Sequence, residues 1–167
     1  MKYAIVYSSR TGNTRLLAET IRAALPESDC IYFGPPVAAA LAAGRIYAGF
    51  WTDRGTCDSE TATFLQGITG GEVYLFGTAG FGGMQEYFDK ILHRTGKNLR
   101  GGVSLIGSFM CQGKMPMSVR ERYEKMRESG DVRVGNIQGL IDNFDRALTH
   151  PDRGDLEALK KAIQKLS

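Results

Sequence analysis

Seven consecutive small or polar residues, Ser8 to Thr14, separate the apolar run KYAIVY (2–7) from a segment with helical spacing. Ser8, Ser9, Thr11 and Thr14 bring hydroxyl donors, while Gly12 and Asn13 tolerate the backbone angles that a tight wrap demands. The loop runs into a helix N-terminus, where amides without helical partners and the aligned peptide dipoles favour negative charge. A phosphate is the natural guest. A plainer reading gives Thr11 or Asn13 only the duty of capping the helix. Neither GxxxxGKS/T nor GxGxxG occurs, which sets aside a P-loop nucleotidase and the dinucleotide fingerprint.

Other reactive side chains give less. Cys30, Cys57 and Cys111 form no CxxC pair and join no His cluster, so buried or idle thiols are expected rather than disulfides or a zinc site. His93 and His150 lie near helix ends and read as caps or surface groups. No acid–base constellation stands out, so no catalytic residue and no metal ligand is assigned.

The elements that must position the loop alternate from end to end. Strands are expected at 2–7, 30–33, 45–51, 72–80 and 102–110. Helices are expected at 14–25, 37–44 (short), 59–68, 83–93, 118–128 and 136–147. A last helix carries Leu156, Leu159, Ile163 and Leu166 on one face. Such alternation argues for an α/β fold, a doubly wound parallel sheet with helices on both faces. Ligands then bind outside the carboxyl ends of the strands, which directs attention to the segments after strands one, three, four and five.

The length, 167 residues, suits a single domain, 1–167. No apolar run approaches the ~20 residues of a membrane span, and Met1-Lys2 leads straight into a strand, so a cytoplasmic protein is expected. The 21 basic and 18 acidic residues alternate in sign without a basic block, and nucleic acid is not an expected partner.

The stretch SRTGNT (9–14) after an apolar first strand resembles the phosphate loop of the flavodoxin family: Ser or Thr, any residue, Thr, Gly, any residue, Thr. The resemblance covers Met1 to about Gly113 and resumes in the terminal helix. It implies a five-stranded sheet of order 2-1-3-4-5 and FMN as cofactor. The family brackets the isoalloxazine ring with loops after strands three and four, here FWTDRGTCD (50–58) and GTAGFGG (77–83). The implied cofactor-binding set is Ser9, Arg10, Thr11, Gly12, Asn13 and Thr14 in the first loop, then Phe50, Trp51, Thr52 and Asp53, then Thr78, Ala79, Gly80, Phe81 and Gly82. Trp51 is placed to stack on one face of the ring, with core packing as its alternative. Phe81 is placed on the other face or the ring edge, or at a loop tip.

Several features depart from the family. Ala79 stands where many flavodoxins place a stacking Tyr. Flavodoxins are commonly acidic and dock basic partners, whereas this chain is net basic and puts Arg10 and Arg54 in two of the three loops. An insertion at about 111–135 follows strand five, with Lys114, Arg120, Arg122, Lys125, Arg127 and Arg133 against Glu121, Glu124, Glu128 and Asp131. It would dock a partner, cover a substrate, or form a solvated helix with intrahelical salt bridges. Met110, Met115 and Met117 would form an adaptable contact surface or fill a gap. Cys57 and Cys111 fall near strand ends, which would set a thiol close enough to exchange electrons with the flavin, although neither thiol shows a sign of lowered pKa in the sequence. The resemblance implies an FMN protein shuttling electrons between a reductase and an acceptor. The alternative is an FMN-dependent NAD(P)H:quinone-type or tetrapyrrole oxidoreductase on the same scaffold.

Overall fold

The computed structural model describes residues 1–130 and 135–166. Asp131 and Arg133, counted above among the charges of the 111–135 stretch, lie outside the described residues. The strands are β1 (Tyr3–Tyr7), β2 (Cys30–Gly34), β3 (Arg45–Asp53), β4 (Thr56–Cys57), β5 (Gly71–Ala79) and β6 (Val103–Gln112). The helices are α1 (Asn13–Ala24), α2 (Ser59–Gln66), α3 (Gln85–Gly96), α4 (Met117–Ser129), α5 (Ile137–Ala147) and α6 (Arg153–Gln164). The long strands are all parallel, in the order β2-β1-β3-β5-β6. Counted over those five, this is the expected 2-1-3-4-5.

Period-two alternation along the central strands sorts side chains onto two faces. Tyr3, Ile5, Tyr47, Tyr74 and Phe76 pack under α1 and α6, against Leu17, Ile21, Leu159 and Ile163. Their neighbours Ala4, Val6, Ile46, Ala48, Val73 and Leu75 pack on the other face against Phe64 and Leu65 of α2. Apolar residues on both faces are what a sheet sandwiched by helices requires.

Two elements differ from expectation. The short helix at 37–44 is a 3-10 helix, Ala38–Ala42. The loop after β3 is instead a hairpin, with Thr52 paired to Cys57 and Asp53 to Thr56. Its two-residue turn holds Arg54 at φ 51° and Gly55 at φ 83°. Positive φ at both central residues is the turn geometry that matches the strand twist.

The stretch after β6 builds a small core of its own. Tyr123 of α4 is buried with Ile141 and Phe144 of α5, and Met115, Val119 and Leu140 pack around them. Arg120 pairs with Glu124 one turn along and reaches across to Asp145 of α5 at 2.9 Å. α4 is therefore anchored on α5 and carries one salt bridge along its own surface among the described residues, Arg120 with Glu124.

Candidate functional site

A cleft of about 810 Å³ opens at the carboxyl ends of the strands. Arg10, Thr11 and Asn13 line it from the first loop, Trp51 to Gly55 from the hairpin, and Thr78 to Phe81 from the end of β5. Three of the segments singled out in the sequence thus meet in space. A fourth wall comes from Tyr87 of α3 and from Gly113 to Pro116, Ser118, Val119 and Arg122. Of these, Lys114, Met115 and Arg122 are named in the sequence reading of the 111–135 stretch, whereas Tyr87, Gly113, Pro116, Ser118 and Val119 are not. Met115 was its best signal, an apolar side chain in a charged stretch.

The first loop is pinned by its side chains. Ser8 Oγ donates to Glu60 at 3.2 Å, and Ser9 Oγ accepts from the Arg15 amide at 3.3 Å. Thr14, 1% exposed, donates to the Phe50 carbonyl at 3.1 Å and lies 3.5 Å from Thr78 Oγ1. Asn13 Nδ2 donates to the Lys114 carbonyl at 2.9 Å, and Thr11 Oγ1 reaches the same oxygen at 3.4 Å. In this structure the hydroxyls expected to face an anion are turned into the chain. What they hold in place is backbone. Gly12, at φ 90°, begins α1 with no side-chain cap, so neither Thr11 nor Asn13 serves as one. The first helical bond runs from Leu16 N–H to the Gly12 carbonyl. The amides of Gly12, Asn13 and Thr14 precede it and lack helical partners.

The second loop divides. Phe50 is fully buried, its ring packed over Gly77 in a core with Cys57, Phe88 and Ile91. Its ring does not line the cleft, because neighbours along a strand point to opposite faces and Trp51 takes the cleft side. Trp51 is half-buried, with the Arg10 guanidinium 5.3 Å from its ring centroid. That spacing is a cation–π contact. Thr52 Oγ1 donates to the Thr78 carbonyl at 2.8 Å, tying β3 to β5, and Asp53 is exposed at the hairpin.

In the third loop Ala79 is buried and Phe81 is 41% exposed. Gly80 is clamped: its carbonyl accepts from Gln112 Nε2 at 2.9 Å and from Asn143 Nδ2 at 3.0 Å. Its α-carbon faces Met115 so closely that a side chain would collide with the sulfur. Gly82 abuts the Gln112 side chain and does not line the cleft. Gln112 and Asn143 carried no sequence signal. Gln112 is placed by the pairing of β6 with β5, opposite Ala79, and Asn143 by α5, which brings its amide to the Gly80 carbonyl.

Neither Cys57 nor Cys111 lines the cleft. Burial raises the pKa of both thiols, and the carboxylates of Asp155 and Asp152 raise that of Cys111 further. A protonated, packed thiol is a poor electron-transfer or nucleophilic group. His93 is exposed on α3. His150 Nδ1 lies 2.6 Å from Asp155, which with Asp152 forms the capping box of α6.

A flavodoxin-domain family model matches residues 4–164. The chain belongs to the flavodoxin domain family. The flavodoxin-like domain-containing protein BilS of Clostridium symbiosum is 46% identical over 177 positions, covering 96% of this chain and 93% of that protein. Oxidised flavodoxin 2 from Bacillus cereus superposes with a TM-score of 0.55 at 16% identity, covering 98% of this chain and 95% of its own. A flavoprotein from Lactobacillus acidophilus, solved in complex with FMN, gives a TM-score of 0.51 at 16% identity over 65% of this chain and 92% of its own. These structures share the fold of this flavodoxin domain. No helix among the described residues is long and apolar enough to cross a membrane.

Proposed function

We propose that this flavodoxin domain binds FMN in the cleft and carries electrons one at a time between a reductase and an acceptor protein in the cytoplasm. The observation that carries the reading is the start of α1, where the amides of Gly12, Asn13 and Thr14 have no acceptor among the described residues and the exposed cations Arg10 and Lys114 stand beside them. Amides at a helix N-terminus with neighbouring cations are a donor set suited to a phosphate dianion. The cleft volume, about 810 Å³, falls within the range of small-molecule sites, and Trp51, Phe81 and Tyr87 offer flat apolar surface to a ring system. The FMN complex of the Lactobacillus acidophilus flavoprotein, on the same fold, supports the same cofactor.

FMN supplies the redox chemistry when bound. The chain binds and orients it: Thr14 and Asn13 hold the loop that presents the amides, and Thr52 fixes the hairpin against β5. Met115 and Val119 limit water at the fourth wall. A carrier needs no proton-transfer group, and none is assigned.

Two measurements test the reading. FMN should bind at least about tenfold more tightly than riboflavin, which lacks the phosphate; equal affinities would return the loop to a structural role. Anaerobic reductive titration of the FMN-loaded protein should then show two separated one-electron steps. One observation favours a second reading, an FMN-dependent oxidoreductase acting on a flat quinone-type or tetrapyrrole substrate: the α4 segment adds a wall that encloses the cleft. Turnover of NAD(P)H with a quinone, without an added reductase, would favour that reading over the carrier.

A further inference from the structure

We infer that the mouth of the cleft docks a redox partner with an acidic contact face, the reverse of the basic-partner docking expected of acidic flavodoxins. The inference rests on the electron-carrier reading above. Four of the 21 basic residues, Arg10, Arg54, Lys114 and Arg122, and one of the 18 acidic residues, Asp53, line the cleft. That leaves 17 of each sign for the rest of the chain, so the whole excess of +3 lies in this one place.

The four cations fall into two groups. Lys114, bonded through its carbonyl to Asn13 and Thr11, stands with Arg10 beside the start of α1, where a phosphate would offset both. Arg54, at the tip of the hairpin, and Arg122, on α4, remain. Arg94 of α3 joins them, its Nη1 donating to the Gly55 carbonyl at 3.1 Å, next to Arg54 in the turn. All three guanidinium groups belong to exposed residues. None has a carboxylate partner among the described residues, whereas Arg15, Arg22, Arg45 and Arg120 each pair with one.

Apolar side chains are exposed on adjoining segments: Phe81 of the cleft at 41%, Met84 at 63% just before α3, and Met117 at 56% at the start of α4. Exposed apolar groups among unpaired cations suit a protein interface, with an adaptable centre and a rim that steers an oppositely charged face. They do not form the continuous cationic track that a nucleic acid backbone requires.

The test uses the FMN-loaded protein, reduced anaerobically, with two one-electron acceptors: rubredoxin, which is acidic, and cytochrome c, which is basic. In each transfer one electron leaves the reduced protein and converts the acceptor's Fe(III) to Fe(II). The second-order rate with rubredoxin should fall roughly tenfold as salt rises from about 0.01 to about 0.3 M, while that with cytochrome c rises or stays level. In the Arg54→Glu/Arg122→Glu variant the rubredoxin slope should flatten or invert. A rate with cytochrome c that falls with salt, while rubredoxin is indifferent, overturns the acidic-partner inference and leaves the carrier reading intact. Failure to transfer to either acceptor removes both. An unaltered rubredoxin slope in the variant overturns the assignment to these arginines.

Discussion

Replacing Thr14 with Val removes one hydroxyl from a site that is 1% exposed and otherwise keeps its shape. The lost group donates to the Phe50 carbonyl at 3.1 Å and lies 3.5 Å from Thr78 Oγ1, so the loop loses its tie to both β3 and β5. A buried hydrogen bond contributes about 1 kcal/mol net, and stranding its partner brings the cost to about 1–3 kcal/mol. For a domain of this size each 1 kcal/mol lowers Tm by about 2–4 °C, so Thr14→Val should melt about 2–12 °C lower. FMN affinity should fall by no more than about tenfold, because the hydroxyl faces the sheet and only the loop's pre-organisation is lost. Thr14→Ser, which restores a donor, should recover most of both losses. The assays are thermal denaturation followed by circular dichroism and titration of FMN fluorescence. An affinity loss above about a hundredfold with Tm unchanged would place the hydroxyl on the ligand and refute the pinning argument.

Gly77→Ala sets a methyl group into the Phe50 ring and should destabilise by about 1–3 kcal/mol, visible as a lower denaturant midpoint; an unshifted midpoint would mean the ring moves freely. Arg10→Ala removes the cation over Trp51, the chain's single tryptophan, so its fluorescence should change in the ligand-free protein. The same variant should weaken FMN by about tenfold and leave riboflavin unaffected if Arg10 serves the phosphate. Burial pushes the phenols of Tyr3 and Tyr74 up from 10.0 to about 12. The unfolded chain ionises first, so this stability is fully present below pH 10 and is lost as pH rises through about 12, as alkaline unfolding curves should show. Tyr74 Oη is buried with no partner among the described residues. Tyr74→Phe should therefore flatten that alkaline loss and raise the neutral-pH Tm by about 2–4 °C, while a lower Tm would reveal a hydrogen bond to this oxygen.

The sheet order and the place of the cleft follow from local signals. Apolar runs of strand length, helical stripes between them and the SRTGNT loop are each written within a few adjacent residues. Phe50 and Trp51 are neighbours on a strand, and period two requires that only one of them face the cleft. The hairpin after β3 was less legible, because an arginine at φ 51° is an uncommon choice for a position that favours Gly or Asn.

Strand and helix periodicity depend on nearest neighbours, so a parallel sheet that gathers three loops at its carboxyl edge is legible in the chain alone. What closes the site rests on contacts between distant parts of the chain. Met115 against Gly80, Asn143 and Gln112 on the Gly80 carbonyl, and Asn13 on the Lys114 carbonyl join residues 32 to 101 positions apart. The direction of the loop hydroxyls was decided there too. A serine or threonine can donate equally well to a ligand or to a strand carbonyl, and only the packing of β3 and β5 beside Thr14 selects the strand.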